Sequence, residues 1–198
     1  MKRYIMILVL VCMMISLSAC GNSNRTGKND IMVNQNIILE RGFSVNSNST
    51  EMNTSAKGTV YVKGAEGVSE QVQIIAWIEI DPNDWSGVTF YIPNNWHITN
   101  ITSSYPERKI QTKTADYVAT WTNAETEYEW NTMVRVGRGH SYIPTGGGTG
   151  TVVIDLVLDK DITLQPDIFN NMVAVGSDEK DGIKIEGPDH ISIEIPIT

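Results

Sequence analysis

The hydrophobic and polar positions change their rhythm twice along this chain. An unbroken apolar block, IMILVLVCMMI, occupies Ile5 to Ile15; a polar stretch rich in Asn, Ser, Thr and Gly follows from Gly21 to about Asn53; and from Gly58 onward the dominant period is two. In VQIIAWIEI (Val72 to Ile80) the even positions Val72, Ile74, Ala76, Ile78 and Ile80 share one face, and Gln73, Ile75, Trp77 and Glu79 share the other. Such alternation is the mark of a strand with one buried face. ISIEIPI (Ile191 to Ile197) alternates as strictly, and TVVIDLVL (Thr151 to Leu158) turns Val152, Ile154, Leu156 and Leu158 inward with Asp155 on the opposite side.

Shorter runs predict further strands over 59–63, 88–92, 96–101, 109–114, 117–121, 132–136, 172–175 and 183–185, about ten in all. Turn formers separate them: DPNDWSG (Asp81 to Gly87), PNN (Pro93 to Asn95), GGGTG (Gly146 to Gly150) and SDEKDG (Ser177 to Gly182). No window of a dozen residues carries a helical stripe. Short strands without helices between them predict an all-β chain, an antiparallel β-sandwich over residues 54–198. This pattern resembles immunoglobulin-like and cohesin-like surface modules, without a cysteine pair or a family-specific motif.

The apolar block changes the picture of where the domain resides. Lys2 and Arg3 precede it and small residues follow, which is the layout of a secretory signal peptide. It is too short to span a bilayer, since a helix needs about 20 apolar residues for that. Leu17-Ser18-Ala19-Cys20 resembles the bacterial lipobox. The resemblance covers only these first residues and implies cleavage before Cys20 and attachment of a diacylglyceryl group to its thiol. It further implies a protein held to the extracytoplasmic face of the cell membrane by acyl chains such as palmitate, two of which are needed for stable anchoring. Gly21, rather than an aspartate, follows the cysteine.

The expected organisation is a signal peptide at 1–19, a lipidated N-terminus and flexible tether at 20–53, and the sandwich at 54–198. A coil of the 33 residues from Gly21 to Asn53 has a typical span of roughly 30 Å. Two apolar islands, Ile31 to Val33 and Ile37 to Leu39, interrupt it, and NIILERGFSV (Asn36 to Val45) reads equally as a first strand.

Charge narrows the partners. Without residues 1–19 the chain keeps 13 basic and 23 acidic residues, a net charge of −10. Such a chain is repelled by nucleic-acid phosphates and by anionic lipid headgroups. Cys12 leaves with the signal, so Cys20 is the sole remaining cysteine and no internal disulfide is expected.

Candidate chemistry is sparse. GHSYI (Gly139 to Ile143) begins like a nucleophile elbow but lacks the closing glycine. His97, His140 and His190 stand apart from one another, with no metal-ligand spacing, and TGGGTGT (Thr145 to Thr151) has no Lys-Ser/Thr pair and leads into a strand instead of a helix. The acidic turns at Asp81–Asp84, Asp159–Asp161 and Ser177–Asp181 do not follow the alternating calcium-loop pattern. These readings predict no catalytic residues, no metal and no cofactor.

Aromatic residues carry the remaining hint. Trp130 shares parity with Val134 and Val136, and Trp96 and Trp121 occupy ordinary strand positions, so the core claims most of the five tryptophans. Trp85 falls in a turn, and Trp77 lies on the strand face of Gln73 and Glu79. Together with Tyr91 they are the candidate ligand-binding residues. The expectation is a membrane-anchored, non-catalytic module that binds a protein partner or a cell-envelope component. The alternative is a carbohydrate-binding module using exposed Trp and Tyr rings.

Overall fold

A computed structural model describes residues 36–48, 52–65, 68–84, 86–108, 116–123, 128–138, 146–159, 168–176, 179–180, 183–184 and 189–197. They form twelve strands: β1 (Ile37–Asn46), β2 (Ser55–Ala65), β3 (Val68–Ile80), β4 (Val88–Pro93), β5 (Trp96–Ser103), β6 (Val118–Thr122), β7 (Trp130–Val136), β8 (Gly148–Leu158), β9 (Ile168–Val175), β10 (Glu179–Lys180), β11 (Ile183–Lys184) and β12 (Asp189–Pro196). Sheet A has the order β1-β2-β3-β8-β5 and sheet B the order β12-β9-β4-β7-β6, while β10 and β11 pair only with each other. All pairings are antiparallel. The protein is an antiparallel β-sandwich. The expected strand at 109–114 lies outside the described residues.

The period-two pattern produces this architecture directly. Val72, Ile74, Ala76, Ile78 and Ile80 of β3 join Val60 and Val62 of β2 and Val152, Ile154 and Leu156 of β8 in one buried cluster, which meets Val88, Phe90 and Ile92 of β4 and Val134 and Val136 of β7 from the other sheet. Burying each such aliphatic side chain contributes on the order of 1.5–3 kcal/mol. Trp96 of β5 and Phe169 of β9 meet edge to face across the two sheets, with centroids 5.3 Å apart.

Residues 37–46, within the span read as tether, form β1, the alternative that the apolar islands left open. It pairs with β2 from Ile37↔Lys63 to Asn46↔Ser55. Only Phe43 and Val45 of this edge strand are buried, so its alternation is two residues long and its sequence signal is faint.

The two ends of the sandwich differ. At the end where β1 begins lie the β2–β3 hairpin, the turn from Pro93 to Trp96 and the entry to β7. At the opposite end the loops are fastened by polar contacts. Asn48 donates through its backbone N and Nδ2 to the Asp189 carboxylate, both at 2.6 Å. The buried Asp84 carboxylate accepts from the Thr54 hydroxyl and from the backbone N–H groups of Ser86 and Gly87 at 2.9 and 3.0 Å. Asp81 accepts from the N–H of Asn83 at 2.8 Å and that of Asn53 at 3.1 Å. The carboxylates of the DPND turn are thus committed to holding two loops together.

Candidate functional site

The outer face of sheet A is built from the odd positions of β3 and their register partners. Trp77 stands beside Lys57 and Thr151, Ile75 beside Thr59 and Val153, and Gln73 beside Tyr61 and Asp155. On β1, Gly42 is opposite Thr59. A side chain is missing there, and a Cβ on Gly42 would meet nothing closer than the Gly58 carbonyl oxygen at 3.8 Å. The result is a shallow groove of about 500 Å³ lined by Gly42, Lys57, Thr59, Tyr61, Ile75 and Trp77. Its two rings, Tyr61 and Trp77, lie in rows four residues apart along the strand, about 13 Å at 3.3 Å per residue. Trp77 remains 36% exposed.

Beyond Tyr61 the face becomes polar. Lys63 Nζ donates to Gln73 Oε1 at 2.9 Å, Gln73 Nε2 donates to Asp155 Oδ1 at 2.6 Å, and Asn100 Nδ2 donates to Asp155 Oδ2 at 3.2 Å. These bonds link four neighbouring strands, β2, β3, β8 and β5. A second concavity of about 320 Å³ lies along this ladder, bordered by Lys63, Gln71, Gln73, Thr99, Asp155 and Val157. Lateral bonding holds each amide and carboxylate in one orientation while leaving spare acceptor and donor capacity at its edge. Groove and ladder together make one track across the sheet, apolar at the Trp77 end and hydrogen-bonding at the other.

Sheet B presents a different outer face. Tyr91 of β4 is flanked by Met133 of β7 and Met172 of β9, and Trp121 of β6 stands beside Met133. Pro93 pairs with Trp130 while Ile92 pairs with Thr132, so β7 carries an extra residue, Asn131, at this point. A bulge of one residue reverses the parity of everything beyond it. Trp130 therefore leaves the inward row of Val134 and Val136 and packs edge-on against Tyr91, with centroids 5.2 Å apart and planes at 71°. The Tyr128 ring lies tilted against Trp130, with centroids 5.5 Å apart. The Arg135 guanidinium lies 5.2 Å from the centre of the Trp121 ring, and its Nε donates to Thr89 Oγ1 at 3.2 Å.

The expectation that the core claims most of the tryptophans is corrected here. Trp121 and Trp130 are half-buried on the outer face of sheet B, whereas Trp96 alone of those three tryptophans is in the core, 1% exposed. Of the candidate ligand-binding residues, Trp77 lies on sheet A and Tyr91 on the outer face of sheet B, so the sandwich separates them instead of bringing them together. Trp85 and the lipidation residue Cys20 lie outside the described residues, as does His140. His97 and Asp159 form an exposed pair, Nδ1 to Oδ1, at 2.6 Å, and His190 is exposed on β12. No group of three His, Cys, Asp or Glu suited to a metal occurs among the described residues, and no helix among them is long and apolar enough to cross a membrane.

Sequence reasoning passed over Tyr61, Gly42, Gln73 and Asp155. The signal that would have found Tyr61 and Gln73 is the pairing of GTVYVKG with VQIIAWI through the intervening turn, which sets one against the other; Gly42 and Asp155 are brought in by strands β1 and β8. No protein-family model matches the chain, and no curated protein matches it significantly.

Proposed function

We propose that this protein is an exported lipoprotein, tied by acylated Cys20 to the extracytoplasmic face of the cell membrane, whose sandwich binds an extended glycan of the cell envelope or its surroundings without catalysis. The observation that carries the ligand class is the track on sheet A. A sugar ring has apolar C–H faces and a rim of hydroxyl groups. Trp77 and Tyr61 offer rings to the first, and the Gln73–Asp155–Asn100 ladder offers fixed donors and acceptors to the second. Sites of this size with a few placed polar groups are the usual form of small-ligand and oligosaccharide pockets. The ladder side chains are already ordered, which lowers the entropy lost on binding.

The test is a glycan array with fragments of cell-wall polymers, using wild type beside Trp77→Ala and Gly42→Leu. The first removes the exposed ring and the second fills the groove from an edge strand where the space is open. Wild type should bind, and both variants should lose binding while keeping the wild-type unfolding midpoint. Absence of binding by wild type sinks the glycan reading. For the anchor, Cys20→Ala should move a folded protein out of the membrane fraction.

One observation favours a second reading, a protein partner on sheet B. Met133 and Met172 border Tyr91 there, and methionine provides adaptable apolar surface of the kind used at protein interfaces. Crosslinking that depends on Trp130 and not on Trp77 would favour it.

A further inference from the structure

The large apolar side chains left exposed among the described residues are Leu39, Val68, Trp77, Tyr128 and Ile168. Trp77 belongs to the groove. The other four gather at one end of the sandwich, and the register shows which. Leu39 follows the start of β1, where Ile37 faces Lys63, and Val68 is in the hairpin where Ala65 faces Val68. Ile168 opens β9, opposite Pro196 at the close of β12. Tyr128 precedes Trp130, the first residue of β7, which faces Pro93 at the close of β4, and its carbonyl accepts from Asn94 Nδ2 at 2.6 Å. The turn through Asn94 and Asn95 leads straight into β5 of the other sheet, so these strand ends belong to one end of the fold. Leu39 and Val68 are two strands and four residues of rise apart, through Leu39↔Val62↔Val72; with about 4.8 Å between strands, about 3.3 Å per residue and about 10 Å between sheets, the four side chains surround a patch on the order of 15–20 Å across. They are 37%, 47%, 47% and 53% exposed for Leu39, Val68, Tyr128 and Ile168 respectively. Exposed apolar side chains spread over several strand ends suit a broad partner surface better than a single pocket-filling side chain.

The chain enters the sandwich at this same end. Gly21 to Asn36 is 16 residues, and read as a coil by composition it spans about 20–24 Å. That is shorter than the span expected had the strand β1 belonged to the tether. A site held this closely to a surface experiences an effective concentration in the millimolar range, so contacts too weak to recruit a free protein are populated.

We propose that this end of the sandwich is a foot that seats Leu39, Val68, Tyr128 and Ile168 in the headgroup layer of the bilayer that holds Cys20. The proposal rests on the lipoprotein reading above. Tyrosine is at home in that layer because its ring is apolar and its hydroxyl polar. The charged side chains near the foot among the described residues are Glu40, Arg41, Lys63, Glu70, Glu129, Glu194 and the His97–Asp159 pair. They are mostly acidic, so apolar burial and not attraction to anionic lipid drives the contact. Seating also has a geometric consequence, because the Trp77 end of the track lies toward the opposite end of sheet A and is presented away from the membrane.

Full-length lipidated protein, reconstituted in phosphatidylcholine vesicles that contain a headgroup-attached spin-label quencher, tests this. Cys20 is blocked by its lipid and Cys12 is lost with the signal, so an introduced cysteine is the sole thiol. Val68→Cys and, at the opposite end, Asn83→Cys each carry a bimane fluorophore. Quenching should be several-fold stronger at position 68 than at 83. Adding Leu39→Glu and Ile168→Glu should bring position 68 down to the level of 83. Equal quenching at the two positions in protein that still floats with the vesicles overturns the foot and leaves the anchor standing. Protein that does not float overturns the anchor, and the foot with it. Crosslinking between two copies through position 68, without lipid quenching, assigns the patch to self-association and also overturns the proposal.

Discussion

The two outer faces of the sandwich use aromatic rings in opposite ways. On sheet B, Tyr91 packs edge-on against Trp130 and Arg135 sits over Trp121, so much of the surface of these rings is covered within the protein. On sheet A, Trp77 has Lys57 and Thr151 as register neighbours and an open groove beside it. The polar side chains of sheet A, by contrast, are bonded to one another in a row. A ring that is packed stabilises the fold, and a ring that is left open beside ordered polar groups is available to a ligand. Counting tryptophans in the sequence does not distinguish these cases; the neighbours across the strands do.

The core that both faces share carries the largest effect. Phe90→Ala should cost about 3–5 kcal/mol, because Phe90 is fully buried between the sheets, and urea titration should show a lowered midpoint together with loss of every surface property. Next in size are two reciprocal changes. Trp130→Ala should cost about 1–3 kcal/mol, since two ring contacts worth about 0.5–1.5 kcal/mol each are lost, with ligand affinity on sheet A unchanged. Trp77→Ala should do the reverse, weakening ligand binding about tenfold or more (about 1.4 kcal/mol) while shifting stability by less than about 0.5 kcal/mol. If both substitutions lower stability alike and neither affects binding, the distinction between packed and open rings fails.

The smallest effect is expected at Gln73, which both donates to Asp155 and accepts from Lys63. Gln73→Ala should cost about 1 kcal/mol of stability after allowance for its partial exposure. A double-mutant cycle with Asp155→Ala should return a coupling close to that value, and zero coupling would mean that the ladder is not a unit.

Much of the fold could be read before any strand was paired. The faces of β3, β8 and β12 follow from strict alternation, and the inward sets assigned to them are the buried ones, except Leu158 and Ile191 at the strand ends, which pack partly buried against the core. Trp130 shows where that reading stops. Its parity with Val134 and Val136 holds only for an uninterrupted strand, and nothing in WNTMV marks Asn131 as the extra residue. The bulge is set against β4, where Pro93 has no N–H to offer the ladder. For β1 the difficulty is different: an edge strand burying Phe43 and Val45 alone is nearly as polar as a coil. The candidate site was half legible. Trp77 was identified by its own strand, but Tyr61, Gly42 and Asp155 come from three others.

Local order along the chain determined the class of fold and the face each regular strand turns inward, because each of these depends on neighbours within a few positions. Register between strands decided the rest: which rings share a face, where the parity reverses, and which exposed apolar residues meet at the end where the chain enters. Those properties arise from residues far apart in sequence, and a period of two is the same in every strand, so it cannot by itself say which strand lies beside which.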